Sequence, residues 1–299
     1  MKTKYYFRLS LLLLGLFFTL LVKGQTATDA RPVVDDSKRG PEKAFNTKLP
    51  TLFIVGDSTV RSDAPLRGWG QELDAFFDPN KINVVNRAIG GRSSRTFQNE
   101  GRWDKVLADL KPGDFVVIQF GHNDVGKYDD PAAKERPSIH GEGEETVEVT
   151  KVNGTKETLH TFGWYMRKYG NDVKAKGATA IFCSMVPHKD WQEGKIIRKE
   201  SETFVKWTMN AAQASGAAFI NLNEIIAREF ERLGPEKVEL LFADKRTHST
   251  PAGAALNAQM VVAGLRSLNR PQLKKYFSAQ GKSVVKARQF VLDATAKLR

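Results

Sequence analysis

Short apolar runs alternate with amphipathic segments along most of the chain, between about residues 49 and 268. Most of the apolar runs are hydrophobic at consecutive positions, as expected for strands that are covered on both faces. The predicted strands are 51–55, 82–86, 115–120, 179–186 and 218–222, and the predicted helices are 70–77, 103–110, 162–176, 200–214, 224–233 and 251–268. This alternation predicts an α/β fold in which a five-stranded parallel sheet carries helices on both faces.

Three segments depart from this alternation. Residues 25–48 are polar, contain two prolines, and are predicted to form a flexible leader. Residues 126–158 contain clusters of Pro, Gly and Glu with one alternating Val-Glu stretch, which predicts an inserted loop with a β-hairpin. The tail at 271–299 is basic and is predicted to be helical. The sequence shows no internal repeat, so residues 49–299 are interpreted as one domain.

The first 24 residues have the organisation of a secretory signal peptide. A basic start precedes an almost unbroken apolar run at 9–22, and polar residues follow it. A membrane-spanning helix needs about 20 apolar residues, so this run is short for one, although a single N-terminal membrane anchor is the alternative. We expect a periplasmic or secreted protein that has no stable membrane partner after signal cleavage.

The chain is basic, with a formal net charge of +12. The signal peptide carries four of the basic side chains, so its removal would leave about +8. Lys and Arg are scattered among acidic residues and form no dense block, which argues against nucleic-acid binding. A basic surface suits an acidic polymer as substrate, and it can equally serve solubility alone. These features leave the oligomeric state open.

Cysteine and metal-ligand patterns exclude some kinds of chemistry. Cys183 is the only cysteine, so no intramolecular disulfide can form. It lies in a predicted strand, where a buried and unreactive thiol is expected. The sequence contains no convincing metal-ligand spacing, so neither a catalytic metal nor another cofactor is predicted.

Four short motifs place polar side chains directly after predicted strands or in a loop before the last core helix. They are Gly56-Asp57-Ser58, Ala88-Ile89-Gly90-Gly91-Arg92-Ser93, Gly121-His122-Asn123-Asp124 and Asp244-Lys245-Arg246-Thr247-His248. Ligands of open α/β sheets bind at the carboxyl ends of the strands, so the motifs are expected to meet there. Together they supply the groups that a serine esterase needs: a nucleophile, a base, an orienting carboxylate and donors for an oxyanion hole.

Each motif residue has a candidate role. Ser58 is the candidate nucleophile and His248 the candidate base, with Asp244 holding the imidazole tautomer. The N–H groups of Ser58 and Gly91 and the side-chain amide of Asn123 are candidate oxyanion donors. Taken singly, each motif also has an ordinary explanation, because Asp, Ser and Asn cap turns and glycine permits them. The serine does not lie in a Gly-x-Ser-x-Gly elbow, which excludes the usual α/β-hydrolase motif.

The four motifs in this order resemble the SGNH (GDSL-type) hydrolases, whose blocks contribute Ser, Gly, Asn and His. Within that family the chain resembles the rhamnogalacturonan acetylesterases. The supporting phrases include Gly68-Trp69-Gly70, Val85-Asn-Arg-Ala88, Gly91-Arg-Ser-Ser-Arg95, Phe120-Gly-His-Asn-Asp124 and Thr247-His-Ser-Thr-Pro-Ala-Gly-Ala254. The resemblance covers about residues 50–268. It implies a three-layer α/β/α flavodoxin-like fold and the catalytic and oxyanion roles given above.

One position departs from the family pattern. The family usually has an aspartate three residues before the histidine, but Lys245 occupies that position here. Asp244 lies one residue earlier and could reach His248 through a local bulge. The alternative is that a backbone carbonyl orients the imidazole.

The resemblance implies an exported esterase that deacetylates plant cell-wall polysaccharide, with pectic rhamnogalacturonan as the expected substrate. An acetylated acidic polysaccharide or oligosaccharide is therefore the expected partner. Arg92 and Arg95 are candidates for binding uronate carboxylates, or else form surface salt bridges. Trp69, His188 and Trp191 are further candidates for substrate contact. The alternatives are a lipase or arylesterase of the same fold, and a catalytically silent carbohydrate-binding protein.

Overall fold

The structure is a computed structural model that describes residues 45–133, 135–271 and 273–294. The predicted signal peptide, most of the predicted leader and the end of the tail lie outside the described residues. At the end of the leader, the Asn46 N–H donates to Asn83 Oδ1 at 3.0 Å. In the part of the chain that is described, no helix combines the length and apolar character needed to cross a membrane.

A six-stranded sheet forms the centre of the fold. In chain order the described strands are β1 (Thr51–Gly56), β2 (Asn83–Asn86), β3 (Phe115–Gln119), β4 (Thr146–Thr150), β5 (Lys156–His160), β6 (Thr179–Cys183), β7 (Trp191–Gln192), β8 (Lys195–Ile196), β9 (Ala218–Ile220) and β10 (Val291–Leu292). The central sheet has the order β10-β9-β6-β3-β1-β2, and all neighbours are parallel except β10 and β9. The pairs β4–β5 and β7–β8 form separate antiparallel hairpins.

The sheet has one strand more than the five that the sequence predicts. Val291 and Leu292 of β10 pair antiparallel with Ile220 and Phe219 of β9. Two residues are too few for an apolar run to stand out in a basic tail, so hydrophobic patterning does not reveal this edge strand. In the described part of the tail, helix is limited to short segments, whereas the sequence predicts a helical tail.

The helices cover both faces of the sheet, as predicted. They are α1 (Ser94–Asn99), α2 (Arg102–Asp109), α3 (Phe162–Ala175), α4 (Lys199–Ser215), α5 (Leu222–Leu233), α6 (Pro235–Glu239), α7 (Pro251–Ser267) and α8 (Ala279–Ser283). Leu52 and Ile54 belong to a core shared with α5 and α7, whereas Phe53 and Val55 belong to a core shared with α1 to α4. Successive residues of a strand point to opposite faces of the sheet. Because helices cover both faces, every residue of β1 is buried. The three-layer α/β/α arrangement is therefore confirmed, and Cys183 is buried within it.

Two segments between the main strands and helices differ from regular elements of the core: the segment between β1 and β2, and the insertion before α3. The segment predicted as a helix at 70–77 forms two 3₁₀ turns, Trp69–Gln71 and Leu73–Phe76. Gly70 lowers the helix propensity of this segment, which favours short turns over a continuous helix. The sequence predicts a β-hairpin in the insertion at 126–158, and the β4–β5 hairpin lies there but extends two residues further, to His160.

The carboxyl ends of the parallel strands meet at one edge of the sheet. The loops that follow β1, β2 and β3 carry Ser58, Gly91 and Asn123, and these strands are direct neighbours. The loop before α7 joins the same region, because the Arg67 N–H, after β1, donates to the Ser249 carbonyl oxygen at 2.9 Å. The fold therefore brings all four sequence motifs to one edge.

Candidate active site

The turn that carries Ser58 begins where β1 ends. Gly56 is the last residue of β1, and a Cβ there would lie 2.5 Å from Val60 Cγ2 and 2.6 Å from the Gln119 carbonyl oxygen. Glycine therefore allows the chain to fold back this tightly. The Val60 N–H donates to the Asp57 carbonyl oxygen at 3.1 Å and closes the turn. The half-buried Ser58 lies within it.

A chain of buried hydrogen bonds supports this turn. The Trp69 indole N–H donates to Gln119 Oε1 at 2.8 Å, and Gln119 Nε2 donates to Thr59 Oγ1 at 2.6 Å. The Thr59 hydroxyl donates in turn to Asp57 Oδ1 at 2.7 Å. Trp69 is fully buried, so the prediction that it contacts substrate is wrong. Its indole instead fixes the turn that holds Ser58.

Ser58, His248 and Asp244 form a continuous hydrogen-bonded set. Ser58 Oγ lies 2.9 Å from His248 Nε2, and His248 Nδ1 lies 2.5 Å from Asp244 Oδ2. An ionised carboxylate only accepts, so the imidazole proton is on Nδ1. Nε2 is therefore free to accept the Ser58 proton, which is the arrangement that a general base requires.

The Asp244 carboxylate also organises its own loop. Its Oδ1 accepts the backbone N–H groups of Arg246, Thr247 and His248 at 3.0, 2.7 and 3.0 Å. The Ala243 N–H donates to the His248 carbonyl oxygen at 2.8 Å and closes the loop. Partial burial raises the pKa of Asp244, but these backbone donors and the imidazole outweigh it and hold the pKa well below its usual range. Asp244 lies four residues before His248, one more than is usual in the family, and this tight loop still brings its carboxylate into direct contact with the imidazole.

The candidate oxyanion donors lie beside Ser58. A Cβ on Gly90 would lie 3.5 Å from Ser58 Cβ, so the loop after β2 approaches the serine closely. Gly91 has φ of 77°, a left-handed conformation that favours glycine. Among the described residues, the N–H groups of Ser58 and Gly91 have no acceptor. Asn123 Nδ2 donates to the Arg92 carbonyl oxygen at 3.1 Å, so its amide faces the same loop.

Two buried carboxyl groups lie next to these residues, and the sequence did not reveal their roles. Asp124 Oδ2 accepts the Ser94 N–H at 3.0 Å, and Asp124 Oδ1 accepts the hydroxyls of Ser94 and Ser138 at 2.5 and 3.1 Å. Burial raises the pKa of Asp124 to about 6, against the effect of these hydrogen bonds. Burial likewise raises the pKa of Asp57 to about 6, although hydrogen bonds from Thr59 oppose it. The sequence feature that could have drawn attention to them is their position, since Asp57 directly precedes Ser58 and Asp124 directly follows Asn123.

His188 lies against the loop that carries the base. Its Nδ1 lies 2.7 Å from Arg246 Nη2, and its Nε2 lies 3.2 Å from His122 Nδ1. A guanidinium only donates, so His188 accepts at Nδ1 and donates from Nε2 to His122. Burial lowers the pKa of His122 to about 3, which keeps that ring neutral. The half-buried Trp191 begins β7, and contact of His188 or Trp191 with substrate stays a prediction.

The two candidate arginines are both paired with carboxylates. Arg92 is about one-third exposed, and its Nε donates to Glu100 Oε2 at 2.9 Å. Arg95 is 2% exposed, and its Nε and Nη2 bind the two oxygens of Glu157 at 2.6 and 2.8 Å. Its Nη1 donates to the Pro137 carbonyl oxygen at 2.9 Å. The prediction that Arg95 contacts substrate is therefore wrong, because its guanidinium is used to anchor the insertion.

The fold and these contacts together define a serine hydrolase on an α/β/α sandwich, with the candidate base in the loop before α7. Among the residues that the structure describes, no group of three His, Cys, Asp or Glu residues is placed to hold a metal ion. Residues 54–256 match the model of the GDSL-like lipase/acylhydrolase family. The chain belongs to that family, which confirms the resemblance drawn from its four motifs.

Within this family, the chain is similar to several individual proteins. Rhamnogalacturonan acetylesterase from Emericella nidulans is 35% identical over 208 residues, which cover 70% of this chain and 81% of that protein. Rhamnogalacturonan acetylesterase RhgT from Bacillus subtilis is 27% identical over 252 residues, 78% of this chain and 97% of that protein. The crystal structure of YxiM from Bacillus subtilis aligns with a TM-score of 0.57 and 27% identity. That alignment covers 79% of this chain but only 58% of the YxiM chain.

Replacement of Asn123 tests the oxyanion hole. We expect Asn123→Ala to lower kcat for an aryl acetate by about 10²–10³-fold, because one donor to the developing oxyanion is lost. KM should change little, since that interaction is made in the transition state. Initial rates of phenol release measure both values.

The matched control is Asn153→Ala in the exposed turn of the β4–β5 hairpin, which should keep wild-type kinetics. A kcat for Asn123→Ala within threefold of the wild type would remove Asn123 from the oxyanion hole.

Proposed function

We propose that this protein is a carbohydrate esterase that removes acetyl groups from an acidic plant cell-wall polysaccharide, with pectic rhamnogalacturonan as its substrate. The two relatives named rhamnogalacturonan acetylesterases support this substrate class. The formal charge, +12 for the full chain and about +8 without the four basic residues of the predicted signal peptide, also favours an acidic polymer, because opposite charges speed the encounter of enzyme and substrate.

The observation that carries the proposal is the 2.9 Å contact between Ser58 Oγ and His248 Nε2. It places a base within hydrogen-bond reach of a hydroxyl that is otherwise a weak nucleophile. Asp244 holds the imidazole in the tautomer that can accept the proton. A protein that only binds carbohydrate has no need of this arrangement.

The geometry supports a two-step reaction. His248 Nε2 takes the proton of Ser58 as Oγ attacks the acetyl carbonyl carbon. The N–H groups of Ser58 and Gly91 and the Asn123 amide stabilise the negative oxygen of the tetrahedral intermediate. The ester C–O bond then breaks, His248 returns the proton to the leaving sugar oxygen, and acetyl-Ser58 remains. Water, deprotonated by His248, attacks this ester; the bond between the acetyl carbon and Ser58 Oγ then breaks, His248 returns the proton to Oγ, and acetate is released.

We also propose that the protein acts outside the cytoplasm. Its proposed substrate is a polymer of the plant cell wall, and residues 1–24 have the pattern of a secretory signal. Sequencing the N-terminus of the mature protein tests this, because an intact residue 1 in the membrane fraction would indicate an anchor instead.

Acetate release from three substrates tests the proposed function. The substrates are acetylated rhamnogalacturonan, acetylated xylan and a small aryl acetate, each with wild type and Ser58→Ala. We expect Ser58-dependent release that is fastest on the pectic polymer. Release from the aryl acetate alone would favour a lipase or arylesterase. The absence of Ser58-dependent release from all three would favour the silent binding protein.

A further inference from the structure

The insertion places one arginine, Arg136, directly at the oxyanion hole. Its Nη1 donates to Asn123 Oδ1 at 3.2 Å. Its Nη2 lies 3.4 Å from the position that a Cβ on Gly91 would occupy. A guanidinium that belongs to a separate segment thus hydrogen-bonds Asn123 and lies near Gly91, two of the three residues expected to hold the acyl oxygen.

The charge of Arg136 is not neutralised by the described residues. Among the described residues, its guanidinium forms no salt bridge with a carboxylate, and Asn123 Oδ1 is the acceptor that it contacts. Arg92 and Arg95, by contrast, are paired with Glu100 and Glu157. A half-buried guanidinium with unused N–H donors has the geometry to receive a carboxylate through two parallel hydrogen bonds.

The backbone that follows Arg136 is fixed on three sides. Arg95 Nη1 donates to the Pro137 carbonyl oxygen at 2.9 Å, which ties the segment to α1. The Ser138 hydroxyl donates to Asp124 Oδ1 at 3.1 Å, and the Ile139 N–H donates to the carbonyl oxygen at the end of β5 at 3.0 Å. These contacts restrict the segment before substrate arrives, so little conformational entropy is lost on binding.

We propose that Arg136 is a substrate-binding residue that receives the carboxylate of a uronic acid at or beside the acetylated sugar. This inference rests on the proposed function, because it requires the acyl group to lie at Ser58. The guanidinium binds the carboxylate in the ground state and in the transition state alike. Loss of such uniform binding raises KM and leaves kcat nearly unchanged. Arg136 thereby selects acidic over neutral acetylated polysaccharides.

The test compares Arg136→Gln with Lys156→Gln on three substrates. Lys156 is an exposed cation on β5 of the same insertion, so both variants lose one positive charge. Glutamine at 136 keeps a side-chain N–H donor. For acetylated acidic rhamnogalacturonan oligosaccharides, we expect Arg136→Gln to lower kcat/KM by about 10- to 100-fold, mainly through KM. Values for acetylated xylo-oligosaccharides and an aryl acetate should stay within threefold of the wild type, and Lys156→Gln should match the wild type on all three.

Two kinetic results would overturn the inference. An equal loss on all three substrates would mean that Arg136 only orients the Asn123 amide. Unchanged kinetics on the acidic oligosaccharide would mean that Arg136 does not meet its carboxylate.

A binding measurement separates this inference from the proposed function. Unacetylated oligogalacturonide is titrated by calorimetry into Ser58→Ala and into the double variant that also carries Arg136→Gln. We expect binding that weakens at least tenfold in the double variant. Equal binding by both proteins, or no binding by either, would contradict the role of Arg136. Failure of the proposed function has a different signature, namely no Ser58-dependent acetate release by the wild type from any substrate.

Discussion

Ser58→Ala should lower kcat for acetyl esters by about 10⁵–10⁶-fold, the largest effect expected of any single substitution in this chain. The substitution removes the oxygen that attacks the acetyl carbon, so no acetyl-enzyme can form. The oxyanion donors and the binding surface remain, so a small rate above that of water persists. Acetate release at saturating substrate measures the loss.

Ser62→Ala is the matched control for this substitution. The Ser62 hydroxyl donates to the Ser58 carbonyl oxygen at 2.7 Å, so it belongs to the same turn without touching the imidazole. We expect it to retain kcat within about tenfold of the wild type. Far-ultraviolet circular dichroism should show both variants folded. A folded Ser58→Ala protein with kcat within tenfold of the wild type would exclude Ser58 as nucleophile.

Asp244→Asn should lower kcat by about 10⁴-fold. Asparagine can still accept the three backbone N–H groups of the loop through Oδ1, so the loop is expected to persist. Its amide would, however, donate to His248 Nδ1 and move the imidazole proton to Nε2. The ring could then no longer accept the Ser58 proton, while substrate binding and KM would be largely unaffected.

Asp190→Asn provides the control for charge. Asp190 lies in the neighbouring loop and pairs with Arg246 at 2.5 Å, so the same charge is removed without contact with His248. We expect its kcat within tenfold of the wild type. If Asp244→Asn also retained kcat within tenfold, orientation by the backbone would replace the Asp244 carboxylate in the mechanism.

The parts of the site that could be predicted from the sequence are those fixed by strand ends. Ser58, Gly91 and Asn123 each follow an apolar strand, and parallel strands bring their carboxyl ends to one edge. His248 precedes a long helix and reaches the same edge through its loop. The sequence also left two ways to orient the imidazole, and the contact with Asp244 depends on hydrogen bonds that close a local loop.

The sequence could not show which side chains near these motifs point inward. Trp69 and Arg95 lie in family-like phrases, yet both are buried, because Gln119 and Glu157 supply partners from other segments. Arg136 carries no signal in a single sequence, since its place depends on how the insertion folds back onto the loop after β2. Whether these side chains are buried or reach the site depends on contacts between segments that are far apart in the sequence. The local hydrophobic periodicity contains no information about such contacts.

Covalent labelling of the nucleophile tests the central claim most directly. The protein is incubated with a fluorophosphonate, which phosphonylates serines activated by a neighbouring base, and the modified peptide is identified by mass spectrometry. The account predicts one adduct per chain on Ser58, loss of acetate release in proportion to labelling, and no adduct in Ser58→Ala. An adduct on another residue that tracks the loss of activity, or full activity with Ser58 phosphonylated, would contradict it.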